Sequence, residues 1–169
     1  MSKRATAALF AIALVVASNP ACAGARSGGA HDDLTGAWRG RVQFTTGAFA
    51  VVKDLQFMYV FNAGGTMTES SNYDAAPPVP PAYGVWKKTG ARRYRAKYQF
   101  FQSRSVSTVA EILRNGGWMG DGYGVLSQSI TLSTDGKSFE STITLELFDR
   151  NGKASAGGNA TASGTRLSL

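Results

Sequence analysis

Alternation of apolar and polar residues is the feature that most constrains this chain. Between positions 38 and 44 every second residue is apolar or glycine, and Arg39, Arg41 and Gln43 lie between them. Successive side chains of a β-strand point to opposite faces, so this pattern predicts a strand with one buried and one solvated face. Similar alternating runs recur along the chain, separated by glycine-rich turns. The chain is therefore predicted to be all-β.

Short turn sequences divide these runs into seven or eight strands. Gly, Asn and Asp tolerate the positive φ angles of tight hairpins. Such residues predict turns at 62–65, 89–91, 134–137 and 149–152. Antiparallel strands with one aromatic-rich face form either a sandwich or an up-and-down barrel. We prefer an up-and-down antiparallel β-barrel of about eight strands, because closure removes both exposed sheet edges.

Two longer connections interrupt the alternation. Residues 73–83 contain four prolines, which cannot donate to a β-ladder and predict a surface loop. Residues 105–117 carry apolar residues at helical spacing behind Ser105, which predicts one short helix. The glycine-rich residues 116–124, with Trp118, predict an irregular connection. Both connections are long enough to cover one end of the barrel, where we expect any ligand site.

The first 23 residues have the composition of a secretory signal peptide. Lys3 and Arg4 precede an apolar run over residues 7–17, and small residues stand at positions 21 and 23. We expect cleavage after Ala23 and a periplasmic or secreted protein. Lipoprotein processing at Cys22 is the less favoured alternative. The apolar run is shorter than the roughly 20 residues of a membrane-spanning helix, so no integral membrane segment is predicted.

The remaining chain divides into a flexible lead at residues 24–33 and a barrel domain at residues 34–169. The formal net charge of the chain is +7. Its densest basic segment places Arg93, Arg95 and Lys97 on one face of a predicted strand. That is the usual pattern of a solvated outer face, so no nucleic-acid partner is predicted. The oligomeric state is left open.

The sequence Gly-Ala-Trp at residues 36–38 resembles the G-x-W signature of the lipocalins and the wider calycin barrels. In those folds the tryptophan closes the barrel floor, often against an arginine from the last strand. The resemblance therefore implies a floor built from Gly36, Trp38 and Arg166. The segment Tyr-Gly-Val-Trp at residues 83–86 also resembles small exported bacterial lipocalin-like barrels. A lipocalin-like barrel is the expected fold.

Common catalytic sets are missing from the sequence. His31 is the only histidine and lies in the flexible lead, so neither a Ser-His-Asp triad nor a histidine metal site is predicted. No cofactor is predicted. Glu69 is the candidate catalytic residue. It faces inward if the hairpin at residues 62–65 contains a bulge, and burial would then make it an acid or base near neutral pH; without the bulge it is solvated.

Aromatic residues at inward positions either pack a filled core or line a pocket. The candidate ligand-binding residues are Tyr59, Trp86, Tyr98, Phe57, Phe100 and Glu69. The first functional hypothesis is an exported protein that binds a small apolar or aromatic molecule inside the barrel. The second is an isomerase or cyclase similar to the barrel-based allene oxide cyclases. The third is a protein-binding barrel, such as an inhibitor of a secreted enzyme. Whether the protein is an enzyme stays open.

Cleavage after Ala23 predicts Gly24 as the first residue of the exported protein. Intact-mass measurement of the protein recovered from the exported fraction tests this. An acylated Cys22 in the membrane fraction would contradict it.

Overall fold

The computed structural model describes residues 32–73, 80–104, 106–115 and 119–169. Across these residues the chain forms eight antiparallel strands in one closed barrel, with one short α-helix and one 3₁₀ helix. The predicted all-β, up-and-down barrel with a short helix is confirmed. Several sequence-based predictions lie outside the described residues: the signal peptide with Cys22 and Ala23, the lead up to His31, the loop prolines Pro77 and Pro78, the cap Ser105, and Trp118.

The strands follow one another around the barrel in chain order. Their bounds are β1 Gly36–Phe44, β2 Leu55–Phe61, β3 Thr66–Ser71, β4 Ala82–Gly90, β5 Arg93–Arg104, β6 Met119–Leu132, β7 Ser138–Phe148 and β8 Ala154–Arg166. The 3₁₀ helix Ala48–Val51 lies between β1 and β2, and the helix α1 Val109–Asn115 lies between β5 and β6.

Each strand pairs with the next, and β8 pairs with β1 to close the sheet. The closing ladder runs from Trp38 opposite Arg166 to Phe44 opposite Ala160. The β2–β3, β4–β5 and β6–β7 hairpins lie at one end of the barrel, here called the floor. The β1–β2, β3–β4, β5–β6 and β7–β8 connections start and end at the other, here called the mouth. The two longer connections predicted to cover one end therefore both belong to the mouth.

Trp38 and Arg166 close the floor. The Trp38 side chain is fully buried, and its Nε1 donates a hydrogen bond to the Leu34 carbonyl over 2.9 Å. The Arg166 guanidinium lies 4.2 Å from the centre of the Trp38 ring, which is a cation–π distance. Arg166 also donates to the carbonyls of Thr35 at 2.6 Å and Gly136 at 2.9 Å. The last strand and the segment before β1 are thereby tied to the same ring.

The sequence predicted an irregular connection over residues 116–124, and this prediction is wrong for residues 119–124. They belong to β6, where Gly120 pairs with Ser103 and Gly122 pairs with Gln102 across a register shift. Gly122 has a φ of 119°, a conformation that favours glycine. Glycines that looked like loop residues therefore permit an irregular stretch of ladder.

The helix α1 is shorter than the predicted segment 105–117 and does not pack into the core. Thr108 caps it, because its Oγ1 accepts a hydrogen bond from the backbone N–H of Glu111 over 3.1 Å. Its apolar residues Val109 and Leu113 are exposed. No helix among the described residues combines the length and hydropathy needed to cross a membrane.

Replacing Trp38 by Ala is expected to lower the free energy of unfolding by about 3 to 5 kcal/mol, because it removes a fully buried aromatic side chain. Urea unfolding of the two proteins measures the difference. A loss below about 1 kcal/mol would show that the floor does not depend on this ring.

Candidate functional site

The β2–β3 hairpin determines which way Glu69 points. Asn62 donates its backbone N–H to the carbonyl of Thr66 over 2.9 Å, so three residues separate the paired positions. Gly65 has a φ of 82°, as the extra residue of a glycine bulge requires. The odd loop length places both Phe61 and Met67 inside the barrel. Two residues beyond Met67, Glu69 also faces inward, as the bulged alternative predicted.

The Glu69 carboxyl is buried without a partner. Only 6% of the residue is exposed, and Oε1 has no hydrogen-bond partner among the described residues. Burial raises the pKa of Glu69 from its ordinary value of 4.5 to about 8. Tyr59 lies directly opposite it on β2, and Ala82 directly opposite it on β4. At neutral pH this side chain is mainly a neutral carboxylic acid, which can both donate and accept a hydrogen bond.

A buried polar layer crosses the barrel beside Glu69. Tyr98 donates its hydroxyl to Gln128 Oε1 over 3.2 Å, and Gln128 Nε2 donates to Ser141 Oγ over 2.8 Å. Tyr59 is fully buried beside this chain, and its hydroxyl lacks a partner in hydrogen-bonding geometry. Burial, and after it the nearby Glu69 carboxyl, raises the pKa of Tyr59 above its usual range. The Tyr59 hydroxyl therefore lies near Tyr98 and Gln128, whereas Glu69 Oε1 in the same part of the interior has no partner in the described part of the chain.

A small cavity lies on the mouth side of this layer. Its volume is about 50 Å³. Most of its lining is apolar, and its polar side chains come from β3 and the connection that follows β3. The lining residues are Phe44, Phe49, Leu55, Phe57, Glu69, Ser71, Tyr73, Phe100, Leu126 and Leu145. The unpartnered carboxyl therefore borders an apolar cavity and not the bulk solvent.

Aromatic rings from two connections cover the mouth of this cavity. Phe49, in the 3₁₀ helix, has its ring centre 5.4 Å from that of Phe44 and 5.4 Å from that of Tyr73. Phe49 and Tyr73 are each only partly buried. Partly buried rings on the connections between strands are held by fewer contacts than side chains buried within a strand. We therefore expect these two side chains to be the part of the cavity wall that moves most readily.

Gly124 makes room for the Phe100 ring. The two residues are paired across β5 and β6, and a Cβ atom at Gly124 would clash with atoms of the ring. No side chain fits in that space, so glycine is required for Phe100 to lie flat against the barrel wall. The small residue on β6 therefore sets the position of one side of the cavity.

The structure brings together three of the six residues that the sequence suggested as ligand-binding. Phe57, Phe100 and Glu69 line the cavity. Tyr59 and Tyr98 do not, because they are fully buried in the polar layer beneath it. Their inward orientation was predicted, but their height within the barrel was not.

Trp86 requires a larger correction, because it lies at the floor and not at the mouth. Its Nε1 donates to the carbonyls of Asn62 and Thr66, at 3.0 Å and 3.1 Å. Its ring packs against Phe61 and Tyr94, with centre distances of 5.9 Å and 5.7 Å. Its backbone N–H donates to the Gly65 carbonyl over 2.7 Å, so Trp86 lies beside the β2–β3 hairpin at the floor, away from the cavity.

The remaining lining residues were not among the predicted ligand-binding residues. Phe44, Leu55, Leu126 and Leu145 occur at predicted inward positions, and knowledge of the strand register would have placed them near the mouth. Phe49 carried no signal, because it lies in a 3₁₀ helix outside the alternating pattern.

Comparisons of this chain with protein-family models, with curated proteins and with solved structures found no match. Within the described ranges, no group of three or more His, Cys, Asp or Glu residues is arranged to hold a metal ion. The site is thus described by its own geometry: an apolar cavity, aromatic covers and one neutral carboxylic acid.

Glu69 makes stability depend on pH in a specific direction. Its pKa is higher in the folded protein than its ordinary value of 4.5, so the unfolded chain loses this proton first as the pH rises. Its contribution to stability is therefore present below pH 4.5 and is lost progressively up to about pH 8. The total change is on the order of 4 to 5 kcal/mol.

We predict that the free energy of unfolding of the native protein falls relative to that of Glu69→Gln between pH 5 and pH 8. Urea unfolding at several pH values measures the difference, in which the other titrating groups cancel. Glu140→Gln, which changes an exposed glutamate on β7, is the matched control and should follow the native protein. Parallel curves for the native protein and Glu69→Gln would mean that Glu69 is not buried as an acid.

Proposed function

We propose that this protein binds a small, mainly apolar molecule that carries one hydrogen-bonding group. The observation that supports this most directly is the unpartnered Glu69 carboxyl at the edge of an apolar cavity. A buried polar atom without a partner costs roughly 1 to 3 kcal/mol, and a ligand that supplies the missing hydrogen bond recovers part of that cost. The barrel fold is compatible with such a role.

The size of the cavity limits the ligand. About 50 Å³ is far below the 300 to 1,000 Å³ typical of pockets for drug-sized molecules. The aromatic layers beneath it fill the rest of the interior. The ligand is therefore a single ring or a short chain, and Phe49 and Tyr73 move outward to admit it. This favours a small aromatic molecule over the extended ligands of hollow barrels.

The protonation state of Glu69 selects the polar group of the ligand. A neutral carboxylic acid donates to a carbonyl or hydroxyl oxygen and accepts from a hydroxyl or amide N–H. It offers no charge to attract a permanent cation. Below pH 8 the preferred ligand is therefore uncharged, with a hydroxyl or carbonyl at the end that enters the cavity.

A second function, catalysis of an isomerisation or cyclisation, is favoured by the same pKa. A carboxyl with a pKa of about 8 can give up and take back a proton near neutral pH. In an isomerisation Glu69 in its carboxylate form would remove a proton from a carbon next to a carbonyl and return it to another atom of the same substrate. Such a step needs no cofactor, and the apolar cavity would keep water from the reactive intermediate.

Export to the periplasm or outside the cell remains part of the proposal, and so does the likeness to lipocalin-like barrels. Both agree with an exported carrier of a small molecule. The inhibitor hypothesis depended on a filled barrel together with an exposed apolar patch in the loop at residues 77–81, of which only Pro80 and Pro81 are described. We place the two small-molecule functions above it because they are supported by the cavity at Glu69.

Ligand-observed NMR with phenol and toluene tests the proposal, because the two molecules differ by a hydroxyl in place of a methyl group. At pH 6.5 the native protein is expected to bind phenol about five- to tenfold more tightly than toluene, which corresponds to one hydrogen bond. Glu69→Leu should remove this preference. Equal affinity for the two molecules in the native protein would argue against a hydrogen bond to Glu69.

Two neighbouring serines on β3 provide a matched pair for locating the site. Ser71 lines the cavity, whereas Ser70 is exposed on the outer face. Ser71→Phe should fill the cavity and abolish phenol binding, and Ser70→Phe should leave the affinity within about twofold of the native value. Retained binding in a folded Ser71→Phe variant would show that phenol binds elsewhere and that the proposed site is wrong.

A further inference from the structure

An open groove runs across the outer surface of the barrel, on the other side of the wall from the cavity. It has a volume of about 600 Å³ and crosses strands β4 to β7. Apart from Val85, the side chains that face outward in this lining are basic or hydroxyl-bearing, and none is acidic. The lining residues are Val85, Trp86, Lys87, Arg95, Ala96, Lys97, Ser127, Gln128, Ser129, Thr142 and Thr144.

Three cations lie close together in this groove. Lys87 on β4 is directly opposite Arg95 on β5, and Lys97 is two residues further along the same face of β5. Opposed residues of neighbouring strands have Cβ atoms about 5 Å apart, and residues two apart on a strand are separated by about 7 Å. Like charges placed directly opposite each other are destabilising. The sheet therefore holds positive charge here at a local energetic cost.

No acidic side chain relieves this repulsion. Among the described residues, no ion pair includes Lys87, Arg95 or Lys97. Glu140 and Glu146 lie on the outer face of β7, but neither belongs to the groove lining. An anion bound between the three cations would supply the missing counter-charge.

Hydroxyl groups complete the groove. Ser129 and Thr142 continue the row of Lys87 and Arg95 across β6 and β7. Ser127 and Thr144 continue the neighbouring row from Lys97 in the same way. Within the described part of the chain, the hydroxyls of Ser127, Ser129 and Thr142 are not engaged in hydrogen bonds to other residues. They are free to contact a polar ligand.

We propose that this groove binds an acidic polysaccharide, a polymer that combines repeated anionic groups with sugar hydroxyls. The cations match its sulfate or carboxylate groups, and the serine and threonine hydroxyls match its hydroxyls. Single-stranded nucleic acid is disfavoured because its nonspecific binding depends on aromatic rings on which bases stack. The one ring in the lining, Trp86, packs against Phe61 and Tyr94 instead.

Fluorescence anisotropy with labelled dextran sulfate tests this proposal on the full chain at low salt. The triple variant Lys87→Gln, Arg95→Gln, Lys97→Gln is expected to raise the Kd by about tenfold or more, because three contacts to anionic groups are lost. The single variant Arg95→Gln should show a smaller increase and is available if the triple variant unfolds. Unlabelled neutral dextran should not compete.

A second triple variant controls for net charge. Arg39→Gln, Arg41→Gln and Lys53→Gln remove the same charge from β1 and the connection before β2, across the barrel from β5. This control should keep the Kd for dextran sulfate within about twofold of the native value. An equal loss in both triple variants would overturn the proposal, because it would indicate attraction to net charge alone.

Two other results would also overturn the acidic-polysaccharide proposal. One is that the native protein does not bind dextran sulfate. The other is that oligothymidylate displaces labelled dextran sulfate at a lower concentration of anionic groups than unlabelled dextran sulfate does. The second result would indicate a nucleic-acid surface. The affinity for phenol should be unchanged in the groove variants. The proposals for the groove and for the cavity can therefore be refuted independently of each other.

Discussion

Pairing of the first strand with the last is the constraint on which the rest of this structure depends. The β1–β8 ladder, from Trp38 opposite Arg166 to Phe44 opposite Ala160, leaves no sheet edge exposed and gives each strand two neighbours. Arg166 covers the Trp38 ring just where this ladder ends at the floor. The contact between Arg166 and Trp38 and the β1–β8 ladder therefore stabilise each other, and together they keep water out of the interior at the floor.

A sealed floor explains the chemistry of the middle of the barrel. In a water-poor interior a carboxylate loses its solvation, and this loss raises the pKa of Glu69. The neighbouring chain from Tyr98 through Gln128 to Ser141 is hydrogen-bonded within itself and does not supply a partner for Glu69 Oε1. The acid is thus both neutral and available. The carboxyl borders the cavity beneath Phe49 and Tyr73, and for this reason we propose that the functional site lies at that end of the barrel.

The energetic cost of polar and charged groups differs between the outer and the inner face of the barrel. Inside, an unsatisfied polar group is costly because no water can reach it. Outside, the opposed Lys87 and Arg95 are hydrated, and their repulsion is partly screened by salt. A single β5 strand serves both faces, because Tyr98 belongs to the buried polar layer while its neighbour Lys97 lines the outer groove. The two proposed sites therefore share a strand without sharing a side chain.

Much of the fold could be predicted from the sequence, because alternation reports directly which face of a strand is buried. The β5 pattern, with Arg93, Arg95 and Lys97 exposed and Tyr94 and Tyr98 buried, shows this clearly. Alternation does not report how far along the barrel a residue lies. That depends on strand direction and register, which are long-range properties.

The orientation of Glu69 and the position of Trp86 illustrate these two limits. The direction of the Glu69 side chain depended on a single extra residue in the hairpin. The left-handed conformation of Gly65 shows that this extra residue is present. Trp86 was correctly placed on the inner side of its strand but at the wrong end. Phe49 could not be predicted as a cavity residue, because a 3₁₀ helix between strands has no alternation to interpret.

The proposed site depends on a neutral Glu69, and the carbon-13 chemical shift of the Glu69 side-chain carboxyl measures this protonation state most directly. With glutamate labelled at that carbon, the resonance is assigned by its disappearance in Glu69→Gln and followed from pH 4 to pH 9. We predict that it titrates with a midpoint of about 8, well above the ordinary value of 4.5. A midpoint close to the ordinary value of 4.5 would show a solvated or paired carboxylate and would contradict the proposed site.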